Sequence, residues 1–261
     1  MNMVALRMAV NCRTILVAAL ACFCLAAVAD NPAWQQPSGW PDRIIATLAK
    51  DPASSFSVSW RTEASITETV AEIALATAAT RFDLAAKRVP AVSERFEFDP
   101  AWLEGQGNTD TSEWLIDPVM FHGVTFTGLE PDTMYAYRVQ GANDKWSSWR
   151  QVRTAPASGP VEFLYFGDAQ NGIRSHVSRM FEIASVVAPE ANFMLHAGDL
   201  VNKGLDDRLW AEWFEAGGRL FGRVPSIPVP GNHDKGVGSR DMLTPFWRPT
   251  FVLPVESGLP E

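Results

Sequence analysis

Three short polar strings, each directly after an apolar run, constrain the fold of this chain more than any other feature. The strings begin at Gly167, Gly198 and Gly231 and read Gly-Asp-Ala-Gln, Gly-Asp-Leu-Val-Asn and Gly-Asn-His-Asp. The apolar runs before them have the length of buried strands. These runs are residues 161–166, 192–197 and 224–229.

The intervals between the strings each have room for one helix and its loops. Asp199 lies 31 residues after Asp168, and Asn232 lies 33 residues after Asp199. Apolar residues recur at helical spacing in both intervals, so the order strand, helix, strand, helix, strand predicts a βαβαβ unit with a parallel sheet. Parallel strands end at one edge, where open α/β sheets place their ligands. We therefore expect the three strings to lie side by side.

The residues before Thr154 follow a different pattern, with short runs at period two between turn signals. In the run 55–62, Phe56, Val58 and Trp60 alternate with polar residues, which predicts a strand with one buried face. Further strands are predicted at 42–48, 70–76, 121–127, 133–139 and 149–154. This half of the chain is therefore predicted to be an all-β sandwich. The small, turn-prone segment 155–160 is the predicted linker to the second half.

Two features of the first half leave room for more than one interpretation. The segment 89–117 is long, acidic and rich in glycine and asparagine near 105–111, and we expect an exposed hairpin or loop there. Trp102, Trp114, Trp146 and Trp149 could form an exposed patch for a carbohydrate or a partner protein. Packing in the core or between domains is favoured for these tryptophans, because large aromatic side chains mainly fill interiors.

The first 29 residues have the pattern of a secretory signal peptide. They contain two arginines, no acidic residue, an apolar core at 15–27 and the small residues Ala27-Val28-Ala29. We expect cleavage after Ala29 and a secreted or periplasmic protein. A membrane anchor is disfavoured because this core is shorter than the roughly 20 residues of a bilayer span. A lipoprotein with Cys22 as the lipidated residue is a weaker alternative, since alanine stands where a lipobox has a larger aliphatic residue.

Charge and cysteine content exclude several classes of function. Without residues 1–29, the chain has 20 Lys and Arg against 30 Asp and Glu, a formal charge of −10. Such a surface does not attract polyanions, which argues against nucleic-acid binding. Cys12, Cys22 and Cys24 all lie in the predicted leader, so the remaining chain can form neither disulfides nor thiolate metal sites.

The three strings resemble the first three sequence blocks of the calcineurin-like metallophosphoesterases. The upstream region makes the purple acid phosphatase-like branch the best match, because 129–139 resembles the corner and following strand of a fibronectin type III module. In that module a tyrosine hydroxyl, here that of Tyr135, closes the corner. The resemblance implies a fibronectin type III-like sandwich over 30–154, the linker 155–160, and an incomplete α/β metallophosphoesterase domain over 161–261. The later histidines of the family are missing, so we interpret the chain as the N-terminal part of a longer enzyme.

The resemblance also implies a site and a reaction. Asp168 would bind the first of two metal ions, Asp199 would bridge both ions, and Asn232 would bind the second through its amide oxygen. His233 would contact the phosphoryl oxygen or protonate the leaving group, and Asp234 would orient its imidazole. The implied cofactors are two divalent or trivalent ions of iron, manganese or zinc. The implied activity is acid phosphatase-like hydrolysis of a phosphomonoester at a two-metal site, with little activity from this chain alone. The residues themselves leave monoester or diester preference open.

Two residues depart from the family pattern. Gln170 stands where family members usually have histidine or glycine, and its amide oxygen could be a neutral metal ligand or bond to a water on the metal. Asn202 stands where the purple acid phosphatases proper have the tyrosine that binds ferric iron, so a purple Fe(III) site is not expected. Of the remaining histidines, His196 is predicted to be a hydrogen-bonded core residue, and His122 and His176 to be structural or exposed.

A second class of function is a secreted binding module with a catalytically silent, degenerate half-domain. This hypothesis predicts decay of the implied ligands, whereas Asp168, Asp199 and Asn232 are all present. The phosphoesterase interpretation is therefore favoured.

Overall fold

Two β-sheets, three α-helices and three further short helical turns form the described part of this computed structural model, residues 35–104, 110–112, 114–236 and 242–255. The strands are β1 (Asp42–Leu48), β2 (Phe56–Glu63), β3 (Val70–Leu75), β4 (Lys87–Pro90), β5 (Val92–Phe96), β6 (Val119–Phe126), β7 (Met134–Val139), β8 (Arg150–Arg153), β9 (Phe163–Phe166), β10 (Phe193–Ala197) and β11 (Ser226–Val229). The helices are α1 (Ser178–Val187), α2 (Asp207–Gly217) and the single turn α3 (Trp247–Thr250). The predicted signal peptide, residues 1–29, lies outside the described residues. No helix among the described residues is long and apolar enough to cross a membrane.

One sheet runs through both halves of the chain. Its seven strands have the order β5-β6-β2-β1-β11-β10-β9, and a four-stranded sheet has the order β4-β3-β7-β8. Strand β1 pairs antiparallel with β2 and parallel with β11, where Thr47 lies opposite Ser226. The described elements therefore belong to one compact unit, Pro37–Glu261, rather than to two separate sheet systems.

The first half is a sandwich whose core lies between the four-stranded sheet and strands β1, β2 and β6. Period-two alternation places Phe56, Val58 and Trp60 in this core, together with Tyr137 from the opposite sheet. The hydroxyl of Tyr135 accepts a hydrogen bond from the backbone N–H of Glu130 at 2.9 Å. The predicted tyrosine corner is therefore present, and this part of the fold resembles a fibronectin type III sandwich.

The prediction of an exposed hairpin or loop over 89–117 is wrong at strand β5 and at three buried aromatic residues, whereas the other described residues of the segment are exposed or half-buried. Strand β5 pairs antiparallel with β6 in the large sheet. Phe96, Phe98 and Trp114 are buried in the core of the second half. The charged composition of the segment conceals this pattern, in which Phe96 and Phe98 turn inward and alternate with the exposed Arg95 and Glu97.

Trp146 and Trp149 are only half-buried, and both pack against Arg138. The guanidinium carbon of Arg138 lies 4.4 Å from the ring centroid of Trp146 and 4.7 Å from that of Trp149. Each of the two indole rings therefore makes a cation–π contact with Arg138. With Trp114 buried and Trp102 packed against the core, these contacts agree with the favoured packing role for the tryptophans.

The second half is a parallel three-stranded region with its helices on one face. Strand β10 pairs parallel with both β9 and β11, as the spacing of the strings predicted. Helix α2 begins after Asp206, whose side chain accepts the backbone N–H of Arg208 at 3.1 Å. It buries Trp210 and Trp213 against the sheet. On the opposite face of the sheet, Phe163, Tyr165 and Val229 are exposed.

A buried ionic cluster joins the two halves next to the β1–β11 pairing. Arg43 on β1 donates to both carboxylate oxygens of Asp207 in α2, at 2.6 and 2.7 Å. Arg61 on β2 bonds Asp42 in the same way and lies 3.4 Å from Asp207. Burial alone raises the pKa of Asp207, but the two guanidinium groups outweigh it and hold that pKa below its usual value. Asp207 therefore stays charged inside the protein.

Removing the shared carboxylate of this cluster should destabilise the fold strongly. Asp207→Ala leaves the guanidinium groups of Arg43 and Arg61 buried without their common partner, so the free energy of unfolding should fall by about 3–5 kcal/mol. Urea denaturation measures this change. Asp83→Ala, which removes the exposed partner of Arg81, is the control and should leave the midpoint unchanged. An Asp207→Ala midpoint equal to that of the control would contradict the structure.

The buried histidines should make stability depend on pH. His196 lies 3.3 Å from the hydroxyl of Ser226, which confirms its predicted role as a hydrogen-bonded core residue, and His122 lies between Thr62 and Ser93. Burial lowers the pKa of His122 and of His196 to about 4. As pH falls from 6.5 toward 4, the unfolded chain binds protons that the native chain does not, so stability is lost over that window.

This pH dependence can be assigned by substitution. His196→Asn and His122→Gln should each give a shallower fall of the unfolding midpoint between pH 6.5 and 4 than the unchanged protein. All carboxylates are common to the compared chains, so the difference isolates the histidine. Parallel curves for all three proteins would show that these imidazoles do not titrate differently on folding.

Candidate metal centre

The three strings lie at the carboxyl ends of adjacent parallel strands. Asp168 follows β9, Asp199 follows β10 and Asn232 follows β11. The loops contact one another, since the backbone N–H of Asp168 donates to the carbonyl of Gly198 at 3.2 Å. Asp199 is 8% exposed, whereas Asp168 and Asn232 open to solvent. The arrangement therefore has a buried central carboxylate between two accessible oxygen donors.

Both aspartates have unusual backbone conformations. Asp168 and Asp199 each have φ of +52°, in the left-handed region that residues other than glycine rarely adopt. Such a conformation costs on the order of 1 kcal/mol or more per residue and persists where surrounding contacts enforce it. The same unfavourable φ occurs at equivalent positions of two neighbouring loops. This indicates that the backbone conformation is needed to orient both carboxylates at this edge of the sheet.

The second and third loops approach each other so closely that a side chain would not fit. A Cβ atom on Gly231 would lie 2.1 Å from Oδ1 of Asp199 and 2.4 Å from its backbone nitrogen. Glycine at position 231 is therefore required by the position of Asp199.

Gln170 contacts the central carboxylate and leaves one atom without a partner. Its Nε2 donates to Oδ2 of Asp199 at 3.1 Å. Its Oε1 is buried and has no hydrogen-bond partner within the described structure. A buried carbonyl oxygen without a donor is costly, and a cation would satisfy it. With two carboxylates and the amide of Asn232, this orphaned oxygen gives a set of hard donors that fits divalent metal ions.

The imidazole of His233 is fixed by the second loop. Its Nδ1 lies 2.9 Å from the backbone carbonyl oxygen of Asn202. Because a carbonyl only accepts, we assign the proton to Nδ1, which leaves Nε2 as the second functional atom of the ring. The backbone N–H of His233 donates to Oδ1 of Asp199 at 2.9 Å. The role of Asn202 lies in its main chain, which no side-chain motif could have indicated.

Asp234 occupies a different position from the one expected. Its carboxylate accepts hydrogen bonds from the backbone N–H groups of Leu200, Val201 and Gly231 at 2.9–3.2 Å. The imidazole of His233 has the Asn202 carbonyl as its Nδ1 partner instead. Burial raises the pKa of Asp234, against the opposing effect of the three backbone donors. The expectation that Asp234 orients the imidazole of His233 is therefore wrong. Asp234 instead binds the backbone of the second and third loops.

The surroundings of the site include one small cavity among those that the described residues form. A cavity of about 250 Å³ beside Gln170 and Asn202 is also lined by Arg174 and Glu212. His176 lies on the same helical turn as Arg174, Ile173–Val177, but its side chain is exposed. Within the described ranges, no three His, Cys, Asp or Glu side chains converge as a metal-binding group. The donors at this site include the side-chain amides of Gln170 and Asn232. Amides are not among the four residue types of such a group.

Two family models match the chain in succession. The model for the purple acid phosphatase N-terminal domain matches residues 41–154, and the model for calcineurin-like phosphoesterase matches residues 161–257. All of the candidate metal-site residues fall within the second match.

Individual relatives are similar over part of their length. Two uncharacterized proteins of Mycobacterium tuberculosis, from strains CDC 1551 and H37Rv, are 27% identical over 154 residues, which is 52% of this chain and 28% of each relative. The structure of a purple acid phosphatase from yellow lupin seeds superposes with a TM-score of 0.63 at 17% identity. That match covers 83% of this chain and 41% of the lupin protein, so it shows a similar fold over less than half of the plant enzyme.

The close approach at Gly231 gives a direct test of the geometry. Gly231→Ala should displace Asp199 and weaken Mn²⁺ binding by about 10-fold or more, as expected when the support of a ligand is disturbed. Gly167→Ala is the matched control, because its Cβ would lie 3.8 Å from Ala197 in ordinary contact. Titration calorimetry compares the two variants. Equal Mn²⁺ affinities for both would show that Asp199 is not held where the structure has it.

Proposed function

Because the chain belongs to the purple acid phosphatase-like branch of the calcineurin-like phosphoesterases, we propose that its second half contributes to metal-dependent hydrolysis of phosphate esters. One observation carries the proposal. The carboxylate of Asp199 receives the side chain of Gln170 from the first loop and the backbone of His233 from the third. A ligand that bridges two metal ions must lie between the donors of the first ion and those of the second. Asp199 has this position between the first and third loops.

Each implied ligand has a role in this proposal. Asp168 would bind one ion, Asn232 would bind the other through its amide oxygen, and Asp199 would bridge both. Gln170 would add its unpartnered Oε1 as a neutral donor. Two such ions, when bound, polarise the phosphoryl group and lower the cost of forming a nucleophile at neutral pH. Iron, manganese and zinc are all compatible with these donors, and Asn202 supplies no phenolate to favour ferric iron.

The proposal also assigns proton transfer to the leaving group and the source of attraction for a negatively charged substrate. With Nδ1 held by the Asn202 carbonyl, His233 presents Nε2 as the atom that contacts the phosphoryl oxygen or gives a proton to the leaving group. The formal charge of −10 without residues 1–29 offers no general attraction for a phosphorylated substrate. Recognition therefore depends on charge concentrated at the site. We propose acid phosphatase-like monoester hydrolysis, in a protein exported through its N-terminal signal sequence.

These 261 residues are proposed to hydrolyse phosphate esters poorly by themselves. The donors that the described loops bring together are oxygen atoms, and two ions need more ligands than these side chains provide. The chain spans 28% of the curated relatives and 41% of the lupin phosphatase. The sparse donor set also favours a second candidate, a secreted binding module with a silent half-domain.

Metal retention in point variants tests the proposed roles. At equilibrium with excess Mn²⁺ or Zn²⁺ the whole chain should bind metal, measured by equilibrium dialysis, and Asp199→Ala should bind none. His233→Ala should retain the metal, while any hydrolysis of an aryl phosphate falls by roughly 10²–10⁴-fold. Glu72→Ala is the matched control, because this buried carboxylate is bound by Arg88 and Arg138 in the sandwich and should affect stability without affecting metal content.

Three results would count against these assignments. Equal metal content in Asp199→Ala and the unchanged chain would remove the bridging role and favour the silent binding module. Loss of metal in His233→Ala would make that residue a ligand. Rapid turnover by the chain alone, abolished in Asp199→Ala, would show that its own residues complete a working site.

A further inference from the structure

We propose that Asp199 and Asp234 form a reciprocal lock between the second and third loops, and that Asp234 is a positioning residue for the metal centre. Each carboxylate binds the backbone of the loop opposite its own. Asp199 accepts the N–H of His233, and Asp234 accepts the N–H groups of Leu200 and Val201. This inference rests on the proposed function and explains how its ligands are held.

The carboxylate of Asp234 accepts backbone hydrogen bonds from both loops. The side chain is fully buried, and Oδ1 lies 2.9 Å from the nitrogen of Leu200 and 3.2 Å from that of Val201. Oδ2 lies 2.9 Å from the nitrogen of Gly231 on its own loop. One carboxylate thus ties the residues directly after Asp199 to the residue directly before Asn232. Hydrogen bonds from backbone groups to an ionised carboxylate are shorter and stronger than neutral ones.

The Asp199 half of the lock supports the reacting groups themselves. Its Oδ1 holds the backbone of His233, while the ring of His233 bonds back to the carbonyl of Asn202 on the second loop. The loops are pressed together at Gly198 and Gly231, where an added Cβ on Gly198 would lie 2.8 Å from the backbone of Gly231. The lock therefore fixes the separation between the bridging carboxylate and the ligand and imidazole of the third string.

An aspartate suits position 234 because three backbone donors share its two oxygens. Val201 donates to Oδ1, Gly231 donates to Oδ2, and Leu200 lies within hydrogen-bond distance of both. The isosteric amide of Asp234→Asn has only one acceptor oxygen, so it can accept from Val201 or from Gly231 but not from both, while Leu200 keeps an acceptor in either orientation. Its NH₂ group would face a backbone N–H. The substitution keeps the volume of the side chain and breaks the bridge, which separates positioning from packing.

The experiment compares Asp234→Asn with Glu72→Gln in the whole chain. Glu72 is another buried carboxylate, bound by Arg88 and Arg138 in the sandwich and remote from the three strings, so its amide variant controls for lost stability. Amide hydrogen exchange is measured by NMR without metal, and Mn²⁺ affinity is measured by calorimetry. In Asp234→Asn we expect faster exchange at Val201 or at Gly231, whichever loses its acceptor, and about 10–100-fold weaker Mn²⁺ binding. In Glu72→Gln both quantities should match the unchanged chain at those positions.

The outcomes separate the lock from the proposed function. Unchanged exchange at all three amides in Asp234→Asn would overturn the lock. Faster exchange with unchanged Mn²⁺ affinity would overturn the positioning role, and so would an equal loss of affinity in Glu72→Gln. If the unchanged chain binds no Mn²⁺ and Asp234→Asn still exposes the amides, the lock stands and the proposed function fails.

Discussion

The buried ion pair between Arg43 and Asp207 is the interaction on which the arrangement of the two halves depends. Arg43 adopts φ of +49° at an irregularity in the pairing of β1 with β2, which turns its side chain toward α2. Its neighbour Ile44 packs in the sandwich core and Ile45 in the core of the second half. A strand that contributes to both cores thus carries the charge that anchors the start of α2. A buried charge is costly when its partner is missing, so the cluster favours the one arrangement in which Asp207 of α2 lies beside Arg43 of β1 and Arg61 of β2.

This anchor bears on the site through the chain that leads to α2. The second loop runs from Asp199 to the helix start at Asp207, so its distal end is held by the ionic cluster. Its proximal end is held by the contacts of Asp199 and Asp234 with the third loop. A loop fixed at both ends can maintain the strained conformation of Asp199. The first half therefore supports the candidate metal centre through α2 and the shared sheet.

The sequence predicted the parts of the fold that local pattern determines. Period-two alternation located β2 and β7, and the Gly-Asp strings located the carboxyl ends of β9 and β10, because both signals act within a few residues. The pairing of β1 with β11 was not predictable, since nothing in Thr47 or Ser226 marks them as neighbours. The segment containing Phe96 was misjudged because its acidic composition outweighed a short alternation.

The candidate site shows the same division between what sequence can and cannot indicate. The resemblance named the side chains, and the structure gathers them at one edge of the sheet. The partners of Asp234 and His233 are backbone groups, which are present at every residue and leave no signature in a sequence. Gln170 could be singled out as unusual, but only the structure shows that its Oε1 has no partner.

The central claim is that the edge formed by Asp168, Gln170, Asp199 and Asn232 binds catalytic metal ions. Anomalous diffraction from crystals soaked in millimolar Mn²⁺ tests it most directly, because the signal locates the ion independently of activity. The account predicts an anomalous peak about 2.0–2.3 Å from a carboxylate oxygen of Asp199, within reach of Oε1 of Gln170 or Oδ1 of Asn232. Manganese bound only at other carboxylates, with this edge empty, would contradict the account.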